Sequence, residues 1–460
     1  MVSTTFETSV LSLTPRQRIL AMVALMSGVV LATLDTTISN TALPQIAREL
    51  QSSEASIIWI ANAYQIAMIA GLLPLASLGE SIGYRRVYLF GLVVFVIASL
   101  VCGASSSLGW VIVGRVAQGV GAAAIMSVNT AFIRHIYPSA QLGRGLSLNA
   151  LVVAVGFTLG PPLASGILSL ANWHWLFLLN VPVGLIALPL AFRFLPDVCG
   201  TRNSLDAITG SLCAAFLGLL AFSFCTLANG MEKSVAICAA AVCALSLSLL
   251  LKNQARHPAP MLPVDLLKMP IIGLSSVTSV CAFATQALAL VALPFFLQAV
   301  IGISVVNTGL LLSTWPLVVA AMALLVRPLS DRWSAGGLCS TGLLILCVGM
   351  MALASASSDT SIASIAFRLV LCGAGFGLYQ APNMKAIMSS APVHRSGGAS
   401  GIVAISRLMG QAAGAALVAQ CFRISSQHGP ELALWLGSGS AMVGLVFSAL
   451  RLRTPARQLA

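Results

Sequence analysis

The stretch Ile19–Thr41, ILAMVALMSGVVLATLDTTISNT, decides the fold class. Its only charged residue is Asp35. A run of this length matches the ~20 apolar residues that a helix needs to cross a bilayer. Thirteen more such runs follow, giving segments at 19–41, 57–78, 88–105, 109–134, 146–169, 175–194, 205–227, 234–251, 271–297, 305–326, 338–356, 362–386, 399–421 and 433–450. Lipid offers no partner to backbone N–H and C=O groups, so each run is expected to be a helix. Barrel strands would alternate polar and apolar residues over ~10 positions, and this chain does not.

Composition agrees. Of 460 residues, 58% are hydrophobic and 8% are charged, against roughly a quarter charged in soluble domains. A net charge of +12 brings nucleic acid to mind, but the basic residues are scattered between apolar runs and form no stripe. The eleven cysteines form no C-x-x-C pair and read as small buried hydrophobes. No signal-peptide pattern precedes Arg18.

Sorting the 24 Lys and Arg by side gives the topology. With a cytoplasmic N-terminus, eighteen fall inside and only Arg48, Lys233 and Arg423 outside, while Arg115, Arg368 and Arg407 lie within helices. This is a positive-inside distribution, with both termini cytoplasmic. Trp110, Trp173, Trp175 and Trp435 fall near the outer boundaries, as an aromatic belt does.

The two ends of the chain resemble one another. Segment 2 ends in Gly79-Glu80-Ser81-Ile82-Gly83-Tyr84-Arg85-Arg86, and segment 10 in Arg327-Pro328-Leu329-Ser330-Asp331-Arg332. Arg115 in segment 4 corresponds to Arg368 in segment 12. Gly156-x-x-x-Gly160 in segment 5 corresponds to Gly410-x-x-x-Gly414 in segment 13. These matches pair segments 1–6 with 9–14 as a parallel repeat, the plan of a two-halved secondary transporter. The expected division is a tail at 1–18, a six-helix bundle at 19–200, an inserted hairpin at 201–255, a second bundle at 256–450 and a tail at 451–460. Internal repetition makes a monomer sufficient.

No chemical energy source is visible. None of the four lysines follows a glycine, which excludes a P-loop, and neither G-x-S-x-G nor H-E-x-x-H occurs. The five histidines fall at helix ends or loops, so no metal site is expected. Gly373-Ala374-Gly375-Phe376-Gly377 lies inside an apolar helix with no strand before it, and reads as close helix packing. The expectation is therefore a non-enzyme without a cofactor, driven by an ion gradient.

Asp35 is the sharpest functional signal, because the other eleven acids sit at ends or loops. An intramembrane acid is by default a functional residue. Desolvation favours the neutral form of a carboxyl group, which suits reversible protonation. The stripe Gly28, Ala32, Asp35, Ser39 and Ala42 is small or polar and reads as a cavity wall. Arg115 lies at matching depth on a stripe with Gln118, Ala122, Met126 and Asn129, and is the natural partner. The alternative for the acid is a carboxylate held permanently by an arginine. Glu80, Arg85 and Arg86, and again Asp331 and Arg332, place an acid beside arginines at helix junctions, which suits a conformational latch or plain topogenic charge. Candidate cavity residues are Tyr64, Gln65, Gln118, Asn129, Gln286, Trp315, Tyr379, Gln380 and Asn383. Each serves equally well as a helix-to-helix hydrogen bond. Trp315, far from either interface, is placed to stack on an aromatic or cationic substrate, or in a plain core.

These residues carry a family resemblance. The chain resembles the fourteen-helix drug:proton antiporter branch of the major facilitator superfamily over nearly its whole length. Leu34-Asp35-Thr36-Thr37-Ile38-Ser39-Asn40-Thr41-Ala42-Leu43-Pro44 is similar to the helix-1 signature of that branch. Gly79 to Arg86, with Gly83, resembles the helix 2–3 loop motif. Arg115-Val116-Ala117-Gln118-Gly119 resembles the helix-4 motif. Gly156, Gly160, Pro161 and Gly166 mark a segment similar to the antiporter motif. Trp173-His174-Trp175-Leu176-Phe177-Leu178-Leu179-Asn180-Val181-Pro182 is also typical of the branch. The resemblance implies proton-coupled multidrug efflux, with antibiotic resistance, in a bacterial cytoplasmic membrane. It makes Asp35 the proton and substrate-coupling residue and Arg115 its modulator. Glu80, Ser81 and Tyr84 depart from the loop motif. With one membrane carboxylate, the expected substrates are lipophilic monovalent cations or neutral molecules, and two-charge cations are poor ones. A narrow exporter of one metabolite, toxin or antibiotic is the alternative.

Overall fold

A computed structural model describes residues 14–138, 141–197, 207–229, 233–254, 260–329, 333–357, 359–392 and 395–453. Among these residues there are helices and no strands. Fourteen helices are long and apolar enough to span a membrane: α1 Pro15–Glu49, α2 Glu54–Ile82, α3 Tyr84–Ala104, α4 Leu108–Ile136, α5 Leu142–Leu170, α6 His174–Phe194, α7 Ala207–Leu227, α8 Ser234–Gln254, α9 Pro270–Val300, α10 Val305–Val326, α11 Ala335–Ala354, α12 Ile362–Ser390, α13 Ser396–Ile424 and α14 Gly429–Leu450. Several extend past the expected apolar runs, because helix ends continue into polar sequence. Helix α1 begins with Pro15 at its first turn and a capping box between Thr14 and Gln17. Asp331, Arg332, His257 and His394 lie outside the described residues.

Helix pairing repeats through the chain. In the first half α1 packs on α5 and α6, α4 on α2 and α3, and α3 on α6. In the second half α9 packs on α13 and α14, α12 on α10 and α11, and α11 on α14. These are the same pairings shifted by eight helices, so two six-helix bundles of one plan are present. The halves meet through α5 on α10, α13 on α2, and α1 on α9, which the same shift relates to one another. Helices α7 and α8 pair together, and α7 lies against both α2 and α13. It therefore flanks one seam between the halves.

Small residues set the distances. In α5, a Cβ on Gly156 or Gly160 would collide with the Thr33 or Thr37 hydroxyl of α1. In α13, a Cβ on Gly410 would come within 2.5 Å of the Val280 carbonyl of α9, and one on Gly414 would strike the Ala284 carbonyl. Both bundles thus use a G-x-x-x-G face to seat their fifth helix against their first. The Gly373–Gly377 segment of α12 does the same, with Gly373 against Trp315 and Val318 of α10 and Gly375 against Gly342 and Leu346 of α11. Gly166, grouped with this motif in the sequence, meets nothing within 4 Å and has no packing duty.

Gly160→Val is expected to lower the thermal unfolding temperature of the purified protein, at a cost of ~1–3 kcal/mol for overpacking. Gly166→Ala is expected to leave it unchanged or slightly raised. Equal effects of the two substitutions would contradict this assignment.

Candidate functional site

The site is built on α1, whose two faces have different duties. Thr36, Thr37 and Asn40 face the seam between the halves. Asp35 faces the other way, into the first bundle, and is 1% exposed. This corrects the expected cavity wall. Gly28, Ala32, Asp35, Ser39 and Ala42 are all buried. The stripe is small because neighbouring side chains enter it. Gly28 admits the Tyr88 hydroxyl of α3, to which its own N–H donates at 3.2 Å. The Tyr64 hydroxyl of α2 donates to the Ala32 carbonyl at 3.3 Å.

Asp35 is held by three residues from two other helices. Arg115 of α4, also 1% exposed, forms an ion pair with its Oδ2. Its Oδ1 accepts from Asn180 Nδ2 of α6 at 2.9 Å and from Gln118 Nε2 of α4 at 3.2 Å. The guanidinium is equally engaged. Arg115 Nε donates to the Ile60 carbonyl of α2 at 3.0 Å, and Nη1 to Gln118 Oε1 at 2.9 Å. The group also lies 4.2 Å from the centroid of the Tyr64 ring, a cation–π distance. Gln118 continues the chain by donating to Ser99 Oγ of α3 at 2.8 Å. One connected network thus ties α1, α2, α3, α4 and α6 together. The carboxylate thus has a cation and two amide donors as partners. Asn180 has no assigned role in the sequence analysis. Its signal there is a lone amide two residues before Pro182 in an apolar segment.

The seam holds a small central cavity of about 30 Å³. It is lined by α1 and α2 from the first half, with Gln65 beside Ala61, and by Phe157 of α5. Gln286 and Leu290 of α9 and Gln411 of α13 close it from the second half. This volume holds about one water molecule, so a drug-sized molecule requires the halves to part. The lining carries four amides and no acid. The expected cation preference therefore has no carboxylate in this cavity through which to act.

Of the other sequence candidates, Gln65 and Gln286 reach this cavity, while Gln118 and Tyr64 belong to the Asp35 network. Trp315 is 0% exposed in the core of the second half, 6.3 Å from the Phe376 ring centroid, so no substrate stacks on it in this state. Tyr379 and Asn383 form a separate network. Tyr379 donates to Ser279 Oγ at 3.1 Å, and Asn383 donates to the same atom at 2.8 Å. Asn383 also accepts from Arg451 at 2.7 Å. Asn129 donates to Asn149 at 2.8 Å, joining α4 to α5. Gln380 is exposed and lines no part of the cavity. Gly83 has φ 104°, which glycine alone takes without strain, at the break between α2 and α3. Arg85 bonds to the Phe192 carbonyl and Arg86 to that of Ile82 at 3.4 Å, both within the first half. Glu80 is exposed at the end of α2. Neither arginine forms an ion pair with a described residue in this state. Arg368, the repeat counterpart of Arg115, bonds to the Ala352 carbonyl and has no acid partner among the described residues. Among the described residues, the second half has no carboxylate beside the place that corresponds to Asp35's partner.

Two-halved helical architecture and a central seam cavity define a transporter. The chain belongs to the Major Facilitator Superfamily, whose model matches residues 25–415. It is 45% identical over 442 residues to the uncharacterized transporter YebQ of Escherichia coli, covering 95% of this chain and 96% of that one. It is 29% identical to the multidrug resistance protein Stp of Mycobacterium tuberculosis, covering 92% and 77%. It is 25% identical to the riboflavin transporter RibZ of Clostridioides difficile, covering 95% and 98%. In fold it resembles a bacterial homologue of the lysosomal transporter Spinster in an inward-facing conformation, with TM-score 0.69, 14% identity, and 96% and 98% coverage.

A guanidinium cannot shed its proton when its counter-charge is removed, whereas a carboxyl group can take one up. Asp35→Asn is therefore expected to cost more stability than Arg115→Gln, on the scale of the ~3–5 kcal/mol of a broken buried pair. Thermal unfolding of the two purified variants checks the order; the reverse order would contradict a charged pair at this site.

Proposed function

We propose that this chain is a proton-coupled antiporter that exports lipophilic small molecules by alternating access. The observation that carries the reading is the position of Asp35. It is the buried acid of a hydrogen-bonded ion pair, and the residues next to it on α1 line the cavity. Proton uptake removes the charge that Arg115, Gln118 and Asn180 hold. Arg115 keeps its bonds to Ile60 and Gln118, so α1 is the element released. Any movement of α1 reaches Thr36, Thr37 and Asn40 directly. The energy source is the proton gradient, and no cofactor enters the cycle.

The working unit in this reading is a monomer in a bacterial cytoplasmic membrane, with both termini in the cytoplasm. The basic residues of the loops support that orientation. The names of Stp and of the multidrug efflux pump LfrA, 27% identical, support a broad exporter. A second reading, export of one metabolite, toxin or antibiotic, is favoured by the cavity lining. Four amides that both donate and accept discriminate more sharply than an apolar wall does. RibZ, named for a single compound, is a relative of that kind.

The test is proton movement in everted vesicles from an efflux-deficient host, challenged with a panel of unrelated lipophilic compounds. Wild type is expected to release protons with several of them, and folded Asp35→Asn with none. Wild-type behaviour in the variant would remove the coupling site. A response to one compound alone would favour the narrow exporter.

A further inference from the structure

Arg407 stands in the interior of α13, four residues and so about one turn before the cavity residue Gln411. Its helix packs on α2 of the opposite half. Its Nε is buried and finds no acceptor. The whole side chain makes no hydrogen bond or ion pair with any described residue.

The other membrane-embedded arginines are provided for. Arg115 has Asp35, the Ile60 carbonyl and Gln118, and Arg368 has the Ala352 carbonyl. A long basic side chain at a helix end can snorkel to water, but Arg407 lies well inside its helix and against the opposite half. Asp35 cannot neutralise it, because Arg115, Gln118 and Asn180 already occupy that carboxylate. Among the described residues the seam therefore holds one cation without an ion-pair partner, beside a cavity rich in amide donors. Arg407 is part-buried, and a charge in an apolar bundle without a partner is costly to keep.

We propose that Arg407 anchors the anionic group of the transported molecule, which makes lipophilic organic anions, carboxylates foremost, substrates of this chain. The planar guanidinium matches a carboxylate through two parallel N–H donors. Gln411, Gln65 and Gln286 supply further amide donors, and the apolar body of the molecule meets Phe157 and Leu290. Protonation of Asp35 leaves this anchor untouched, so one residue couples the proton and another holds the substrate. The inference rests on the reading of the central cavity as the substrate path.

Binding to the purified full-length protein tests it without a gradient. Three probes share one ring system: 1-pyrenebutyric acid, its methyl ester, and 4-(1-pyrenyl)butyltrimethylammonium. Fluorescence titration near neutral pH is expected to show the acid binding at least about tenfold more tightly than the ester or the cation, the low end for a hydrogen bond to a charged group. Arg407→Gln is expected to lose that margin and to bind the ester as wild type does. Arg407→Lys is expected to recover part of it, as a point charge without the planar fork. An acid that binds wild type no better than its ester, wild-type binding of none of the probes, or a folded Arg407→Gln that keeps the margin overturns the proposal. If Arg407→Gln does not fold, the wild-type comparison of acid and ester decides. Because binding needs no proton gradient, this result is independent of the vesicle test of coupling at Asp35.

Discussion

One buried ion pair, Asp35 with Arg115, constrains the first half of this transporter more than any other contact. Each charge alone would be expensive in an apolar interior. Together with Asn180, Gln118, Tyr64 and the Ile60 carbonyl they form a set of partners drawn from four helices, and Gln118 reaches a fifth through Ser99. The small residues of α1 follow from it, since a bulky stripe would keep Tyr64 and Tyr88 away from the α1 backbone. So does the G-x-x-x-G face of α5, which lets a second helix approach α1 from the opposite side. Helix α1 is thus held between a charged network and a cavity, and a change in either one is felt by the other.

The two halves share a plan but not a chemistry. Arg115 has a carboxylate, while Arg368 at the corresponding place has a carbonyl. In the second half the buried polar cluster lies around Arg451, Asn383 and Tyr379, away from the seam cavity. In the proposed cycle the proton-responsive element resides in one bundle. Arg407, without a partner among the described residues, resides in the other, across the seam. On that proposal coupling and recognition are divided between the halves, and the parting of the halves relates them.

The fold was legible in the sequence because its signals are periodic and redundant. Fourteen apolar runs, the sidedness of the basic residues and two G-x-x-x-G faces each point to the same architecture. The matched depth of Asp35 and Arg115 was legible too, while their lateral contact comes from the packing of α1 on α4. The direction in which Asp35 points was not. A stripe of small residues fits a cavity wall and a close helix contact equally well, and only the entry of Tyr64 and Tyr88 decides between them. The reading of Trp315 and Asn383 stayed open for the same reason, since a polar or amphipathic residue in an apolar helix can serve a cavity or another helix. Asn180 and Arg407 went unassigned because their meaning lies in partners, or a lack of partners, from distant segments.

The central claim is that Asp35 is the carboxyl group whose protonation releases α1. Infrared difference spectroscopy of the purified protein, titrated through neutral pH with and without a bound probe, observes it directly. The account predicts a protonated-carboxyl C=O stretch that appears on acidification, shifts when the probe binds, and is missing in Asp35→Asn. The same band persisting unchanged in Asp35→Asn would contradict it, as would a wild-type protein with no buried carboxyl group that titrates.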